Sequence, residues 1–189
     1  LIVGYNITLL HYVKDHVSRA RFAFNWDRIE FIHFHGFCSN YLSENGMCWP
    51  SGTNNKEELF SHIVPQTVID AMKRGRNAKG RHYDAILIDE GQDFEKKWYD
   101  ALCCFLTAHD ELLLVADERQ NLYGRDAHWL IEMRETRFRG RWGELKKSYR
   151  LPPNLLNQSN RFAQMFLPRL GIEPEREDIN LELFVPHLA

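Results

Sequence analysis

The sequence predicts an α/β protein in which helices cover both faces of an open parallel sheet. Segments with strand character alternate along the chain with segments of helical periodicity. Two of the strand segments, residues 83–89 and 111–117, contain continuous apolar runs, 85–88 and 112–116, that end directly before Asp89 and Asp117. Strands buried on both faces show no polar alternation, and crossover helices are what bury them in a parallel sheet.

The first part of the chain supplies two strand-helix units. Residues 1–5 are apolar and β-branched, and the apolar residues that follow Asn6 recur at helical spacing. Residues 28–37, RIEFIHFHGF, alternate as in a second strand. We expect the next helix to start at Gly36 or Phe37.

The rest of the chain continues the alternation. A turn-rich loop leads to a helix from Glu57 to Met72, in which Pro65 either bends the helix or splits it. The elements that follow are a strand at 83–89, a helix at 96–106, a strand at 111–117, a short strand at 143–150 and a helix at 152–167.

Composition bounds the setting in which the protein works. The 189 residues are 44% hydrophobic and carry a net charge of -2, so no global charge draws the chain to nucleic acid or to an anionic membrane. No segment reaches the roughly 20 apolar residues that cross a bilayer, and no signal peptide is recognisable. We expect a cytoplasmic protein without a membrane contact. The chain starts with a strand instead of Met, which suggests part of a longer protein.

Acidic residues follow both apolar strands. Asp89 and Glu90 end the segment YDAILIDEGQDF, and Asp117 ends the second strand. If the strands are parallel, Asp89 and Asp117 lie at one edge of the sheet, the edge at which open α/β sheets bind ligands. Carboxylates gathered there need a cation, and Mg²⁺ bound together with a phosphate ligand fits best. Glu90 is placed to accept a proton from water.

Five segments in order resemble motifs of the UvrD-like superfamily 1 helicases. ILIDEGQDF resembles motif II (Walker B), most closely that of helicases fused to nuclease-related domains. The other four segments are LIVGYNITLLHYVKDHV (motif Ia), FIHFHGFCSNYL (the motif after it), LLLVADERQNLYG (motif III) and LKKSYRLPPNLLNQSNRFA (motif IV).

The resemblance implies a fold and an activity. Residues 1–170 would form an incomplete RecA-like motor domain of the P-loop NTPase type, and the acidic residues 171–189 a linker or the start of another domain. The parent protein would be a helicase or translocase that couples hydrolysis of ATP, with Mg²⁺, to movement on single-stranded DNA, with RNA also possible.

The resemblance also implies roles at the nucleotide. Asp89 would hold Mg²⁺ and Glu90 would be the catalytic base. Gln120 would contact the γ-phosphate and couple its hydrolysis to the nucleic-acid site. Arg150 would stabilise charge on the transferred phosphoryl group, and Tyr149 would stack on the adenine.

Five further residues occupy family positions that line the track for single-stranded nucleic acid. Tyr5 and Asn6 follow the first strand, and His35, Gly36 and Phe37 end the second. Aromatic side chains at such positions stack on bases without reading their sequence.

The chain also departs from the family. It contains no Gly-x-x-x-x-Gly-Lys-Ser/Thr phosphate loop, and motifs V and VI are absent. The remainder of the same protein would have to supply this loop and a second motor domain. The 189 residues alone should not hydrolyse ATP.

Three other interpretations stay open from sequence. His33, His35, Cys38 and Cys48 could form a zinc-binding module, although their spacing matches no common structural zinc site. The acidic residues after the 83–89 strand, including Asp93, could serve a metal-dependent nuclease. The chain could also be a catalytically degenerate scaffold that binds nucleic acid.

Overall fold

The computed structural model forms two compact units, Leu1–Phe138 and Arg139–Ala189. The residues that the structure describes are 1–19, 25–117, 129–130, 136–138, 143 and 152–166. The predicted strand at 143–150 and the predicted boundary at residue 170 fall largely or wholly outside these residues. In the second unit, helix α6 (Pro153–Phe166) confirms the predicted C-terminal helix.

Four strands form a single parallel sheet in the first unit. The sheet has the order β2-β1-β3-β4, and each neighbouring pair is parallel, which confirms the predicted class. The strands are β1 (Ile2–Gly4), β2 (Phe31–His33), β3 (Tyr83–Ile88) and β4 (Leu106–Leu114).

The start of β4 was predicted wrongly. Leu106, which the periodicity of the preceding segment assigns to a helix, pairs with Tyr83 in the sheet. The pairing then shifts register before Ala85 pairs with Glu111. This irregularity inserts extra residues into β4, and it hides the first part of the strand from a search for regular strand patterns.

Helices connect the strands by crossovers. They are α1 (Ile7–Ser18), α2 (Phe34–Glu44), α3 (Lys56–Glu58), α4 (Val64–Lys73) and α5 (Lys96–Cys103). Crossovers between parallel strands are right-handed, and the strand order therefore assigns α1 to one face of the sheet and α2, α4 and α5 to the other. The packing of α4 against both α2 and α5 agrees with this assignment.

Pro65 changes the helix type at the predicted position. Residues Leu59–Ile63 adopt a π-helical turn, in which the Val64 amide bonds the Leu59 carbonyl. A continued π-helix would bring the nitrogen of Pro65 to the Phe60 carbonyl, but proline has no hydrogen to donate. The Phe60 carbonyl oxygen is therefore left for donors from other elements.

Two side chains from neighbouring helices meet that carbonyl. Trp98 Nε1 donates to the Phe60 oxygen at 3.1 Å, and His35 Nε2 lies at the same distance. Because a carbonyl oxygen only accepts hydrogen bonds, Nε2 of His35 carries its hydrogen. The π turn, α2 and α5 are thus joined at one buried point.

An aromatic cluster around Trp98 forms the core under the carboxyl ends of the strands. Trp98 is 0% exposed and stacks on Phe34 with ring centroids 4.8 Å apart. The rings of His35 and Phe94 meet it edge-on at 4.6 and 5.5 Å. Tyr5, which follows β1, lies parallel to it at 6.2 Å. This cluster fixes where α2 and α5 begin relative to the sheet.

Within the described part of the chain, every helix is too short or too polar to span a bilayer.

Candidate functional site

The ends of β3 and β4 bring two of the predicted acids to one edge of the sheet. The strands pair in parallel up to their last residues. Beyond them, the Gly91 amide donates to the Val115 carbonyl at 2.8 Å, so the two chains stay in contact past the strands. Asp89 and Asp117 therefore follow adjacent parallel strands at the same edge, as the sequence predicts.

The end of β1 adjoins this edge as well. The Asp89 amide donates to the Val3 carbonyl at 2.9 Å, which ties the residue after β3 to β1. Tyr5 and Asn6 follow β1 directly, so they emerge at the edge that carries Asp89.

Glu90 has an unusual backbone conformation. Its φ of 55° and ψ of 48° lie in the left-handed region, and among the described residues no other non-glycine residue has a positive φ. This conformation costs a non-glycine residue roughly 1–2 kcal/mol. Such strain is found where a side chain must be held in one place for function, which is consistent with the catalytic role predicted for Glu90.

Gly91 permits the close approach of β4. A Cβ atom at this position would lie 2.7 Å from Leu114 Cδ1 and 3.2 Å from the Val115 carbonyl oxygen. A side chain here would displace the end of the Leu114 side chain and crowd the Val115 carbonyl. The glycine in the DEGQD segment is thus required by packing and not by its own φ.

Replacing Gly91 with Ala should lower the free energy of unfolding by about 1–3 kcal/mol, because the added methyl group overfills a packed site. Urea unfolding checks this value. Gly143→Ala is the matched control, since its Cβ would meet no atom within 4 Å. Equal stabilities for the two variants would contradict the packing explanation.

Gln92 links the two strand ends. Its side chain is 1% exposed, its Nε2 donates to Glu90 Oε2 at 2.5 Å, and its Oε1 accepts from the Asp117 amide at 2.9 Å. The sequence predicts no role for this residue. Its position between Glu90 and Asp93, directly after a strand, was a signal in the sequence. An amide side chain among carboxylates can donate a hydrogen bond to one of them.

The carboxylates fit a cation that is bound jointly with a phosphate. Mg²⁺ commonly takes only one or two protein carboxylates and completes its shell with water and substrate phosphates. In the described residues no group of three or more His, Cys, Asp or Glu side chains could hold a metal. A single carboxylate such as that of Asp89 is compatible with Mg²⁺ that arrives with a nucleotide, and this role of Asp89 stays a prediction. The nuclease interpretation, which needs Asp89, Glu90 and Asp93 to form a metal site together, is not supported.

The zinc interpretation is not supported by the described residues. All four of its ligands are described, and they do not form a metal-binding group. Burial raises the pKa of the Cys38 thiol far above its usual value, whereas zinc binds thiolate. Nε2 of His35 is engaged with the Phe60 carbonyl, and Cys48 is exposed.

Part of the predicted nucleic-acid track needs correction. Helix α2 begins at Phe34, so His35, Gly36 and Phe37 form its first turn instead of ending a strand. Phe37 is 0% exposed and packs edge-on against Phe105 at 4.8 Å, so its ring has no face to offer a base.

His35 and Gly36 also have structural roles. The His35 ring lies between Phe60 and Trp98 in the aromatic cluster. A Cβ on Gly36 would come within 2.6 Å of the His33 ring, so glycine leaves room for that ring. Whether His35 and Gly36 also contact nucleic acid stays a prediction.

Tyr5 and Asn6 keep the predicted position but acquire local contacts. Asn6 caps helix α1, where its Oδ1 accepts from the amides of Thr8 and Leu9 at 2.9 and 3.2 Å. Tyr5 is partly buried against Trp98. Asn6 is exposed, and both residues remain candidates for contact with nucleic acid.

Three predicted site residues, Gln120, Tyr149 and Arg150, lie outside the described residues, and their roles stay predictions. The described part of the site consists of Asp89, Glu90 and Gln92 together with the backbone of Asp117. Comparisons with protein-family models, curated proteins and solved structures found no match to this chain.

Proposed function

We propose that residues 1–170 are part of a RecA-like motor domain in an ATP-dependent superfamily 1 helicase or translocase that moves on single-stranded nucleic acid. The observation that carries the proposal is the parallel pairing of β3 and β4, which gathers Asp89, Glu90 and the Asp117 backbone at one sheet edge. The five motif-like segments support it by their order along the chain.

In this function each predicted site residue would have its own role at the nucleotide. Asp89 would hold Mg²⁺, which when bound neutralises charge on the β- and γ-phosphates. Glu90 would orient the attacking water and accept its proton. Gln120 and Arg150 would act on the γ-phosphate, as the resemblance implies, and Tyr149 would stack on the adenine.

The function requires a phosphate loop from another part of the same protein, and the sheet offers a suitable place for it. In the described residues β4 is one of the two edge strands of the sheet, and β2 is the other. Leu113 and Val115 are 55% and 37% exposed. Leu113 pairs with Leu87 in the sheet. The neighbours of Leu87 in β3, Ile86 and Ile88, are buried in the core under α2, α4 and α5. Because side chains alternate between the faces of a sheet, Leu113 points to the opposite face, which is assigned to α1.

A strand-helix unit beside β4 would use this place well. If a parallel strand pairs with β4 and a right-handed crossover leads from it to β1, the crossover helix lies on the α1 face above Leu113. The loop between that strand and its helix then opens at the edge of Asp89. A phosphate loop carried there would complete the nucleotide site.

Steady-state ATP hydrolysis by the full-length protein tests the proposal. We expect turnover that requires Mg²⁺ and increases when a single-stranded oligonucleotide is added. Binding of the oligonucleotide without any ATP turnover would contradict the proposal and favour the scaffold interpretation.

A further inference from the structure

We infer that Gln92 is a positioning residue that fixes the Glu90 carboxylate relative to the end of β4. The inference rests on the proposed function for the role of Glu90 as a base. The two hydrogen bonds of the Gln92 amide, to Glu90 Oε2 and from the Asp117 amide, carry it.

The two bonds join the turn after β3 to the backbone after β4. Glu90 lies in the turn after β3, and Asp117 lies 25 residues on from Gln92, after β4. The Gln92 side chain is 1% exposed and both of its bonds are partly buried, so bulk water competes with them less than it would at the surface. A displacement of the Asp117 backbone therefore changes the position of the amide and, through it, of the Glu90 carboxylate.

Only glutamine suits both bonds. Its carboxamide offers a donor to the acid and an acceptor to the backbone amide at the end of one side chain. Ionised glutamate at this position would keep the acceptor, lose the donor and place a second carboxylate beside Glu90. Methionine would keep the length of the side chain and provide neither bond.

The link through Gln92 affects how the Glu90 carboxylate is positioned. Asp117 directly precedes the segment that contains Gln120, the residue expected to contact the γ-phosphate. Gln92 therefore connects the Glu90 carboxylate to the backbone from which that segment starts. The orientation of the base then depends on the position of the β4 end, and not on Glu90 alone.

The strained backbone of Glu90 makes such a link necessary. The left-handed backbone of Glu90 points its side chain in a different direction from that of a residue with strand geometry. A long side chain such as that of glutamate can still adopt several rotamers from this backbone. The bond from Gln92 selects one of them. A misplaced catalytic group can lower a rate by about a hundredfold even when it is chemically intact.

Amide exchange in the nucleotide-free, full-length protein tests the link without any reaction. Gln92→Met should accelerate exchange of the Asp117 amide about tenfold, since that amide loses its acceptor. Gln92→Glu should leave this exchange near that of the wild type, because an acceptor remains. The matched control is Gln66→Met, which removes a partly buried amide that bonds Asp70 in α4 at 2.9 Å. It should not change exchange at Asp117.

Kinetics of the same proteins test the positioning role. Both Gln92→Met and Gln92→Glu should lower kcat for ATP at least about tenfold, with KM within about twofold, because the base and not the nucleotide contact is disturbed. Gln66→Met should retain both constants.

Two results would overturn the inference: unchanged exchange at Asp117 in Gln92→Met, or an unchanged kcat in Gln92→Met. Absence of ATP turnover in the wild type would instead overturn the proposed function. In that case the exchange measurement still decides whether Gln92 ties Asp117 to the turn after β3.

Discussion

Replacing Glu90 with Gln should lower ATP turnover by the full-length protein at least about a hundredfold, because an amide cannot accept the proton of the attacking water. Nucleotide affinity should stay within about threefold, since the change removes no group that we assign to phosphate or adenine binding. Steady-state hydrolysis and a titration with a nonhydrolysable ATP analogue measure the two quantities.

Glu95→Gln is the matched control for this experiment. Glu95 lies close to Glu90 in sequence and is partly buried, and its Oε1 accepts a hydrogen bond from the Ser61 hydroxyl. It follows the 3₁₀ turn at Gly91–Asp93. We expect turnover within about twofold of the wild type. Turnover in Glu90→Gln as high as in this control would remove Glu90 from its role.

Replacing Trp98 with Ala should lower the free energy of unfolding by about 3–5 kcal/mol, the range for truncating a large buried aromatic residue. Trp98 is wholly enclosed, stacks on Phe34 and donates to the Phe60 carbonyl. Its loss leaves a cavity at the point where α2, α5 and the π turn meet. Urea unfolding followed by far-ultraviolet circular dichroism measures the change.

Two further variants separate the causes of this loss. Trp98→Phe keeps most of the apolar contact but removes the donor to Phe60, so its destabilisation should be intermediate. Tyr12→Ala removes an aromatic ring that is 59% exposed and should change stability by less than about 1 kcal/mol. If Trp98→Ala were no more destabilising than Tyr12→Ala, the aromatic cluster would not be the core we describe.

The parallel sheet could be predicted because its signal is local. The apolar runs that become β3 and the second part of β4 have no polar alternation, and burial on both faces explains that. The start of α2 was predicted two or three residues too late, because Phe34 and His35 continue a short alternation that fits a strand equally well. Helical spacing of Phe34, Phe37 and Cys38 prevails once those side chains are buried together.

The acids of the site were predictable, but the contacts among them were not. Asp89 and Glu90 stand out because charged residues directly follow a buried strand. The bond from the Asp117 amide to Gln92 joins residues 25 apart, so it depends on the register between β3 and β4. An irregular pairing sets part of that register. The left-handed backbone of Glu90 is likewise a feature that a local pattern does not reveal.

The most direct measurement is a crystal structure of the full-length protein with Mg²⁺ and a nonhydrolysable ATP analogue. We predict that the γ-phosphate lies at the sheet edge formed by the ends of β3 and β4. Mg²⁺ should lie next to Asp89, and the Glu90 carboxylate should face the γ-phosphate. A nucleotide bound elsewhere, with Asp89 and Glu90 remote from its phosphates, would contradict it.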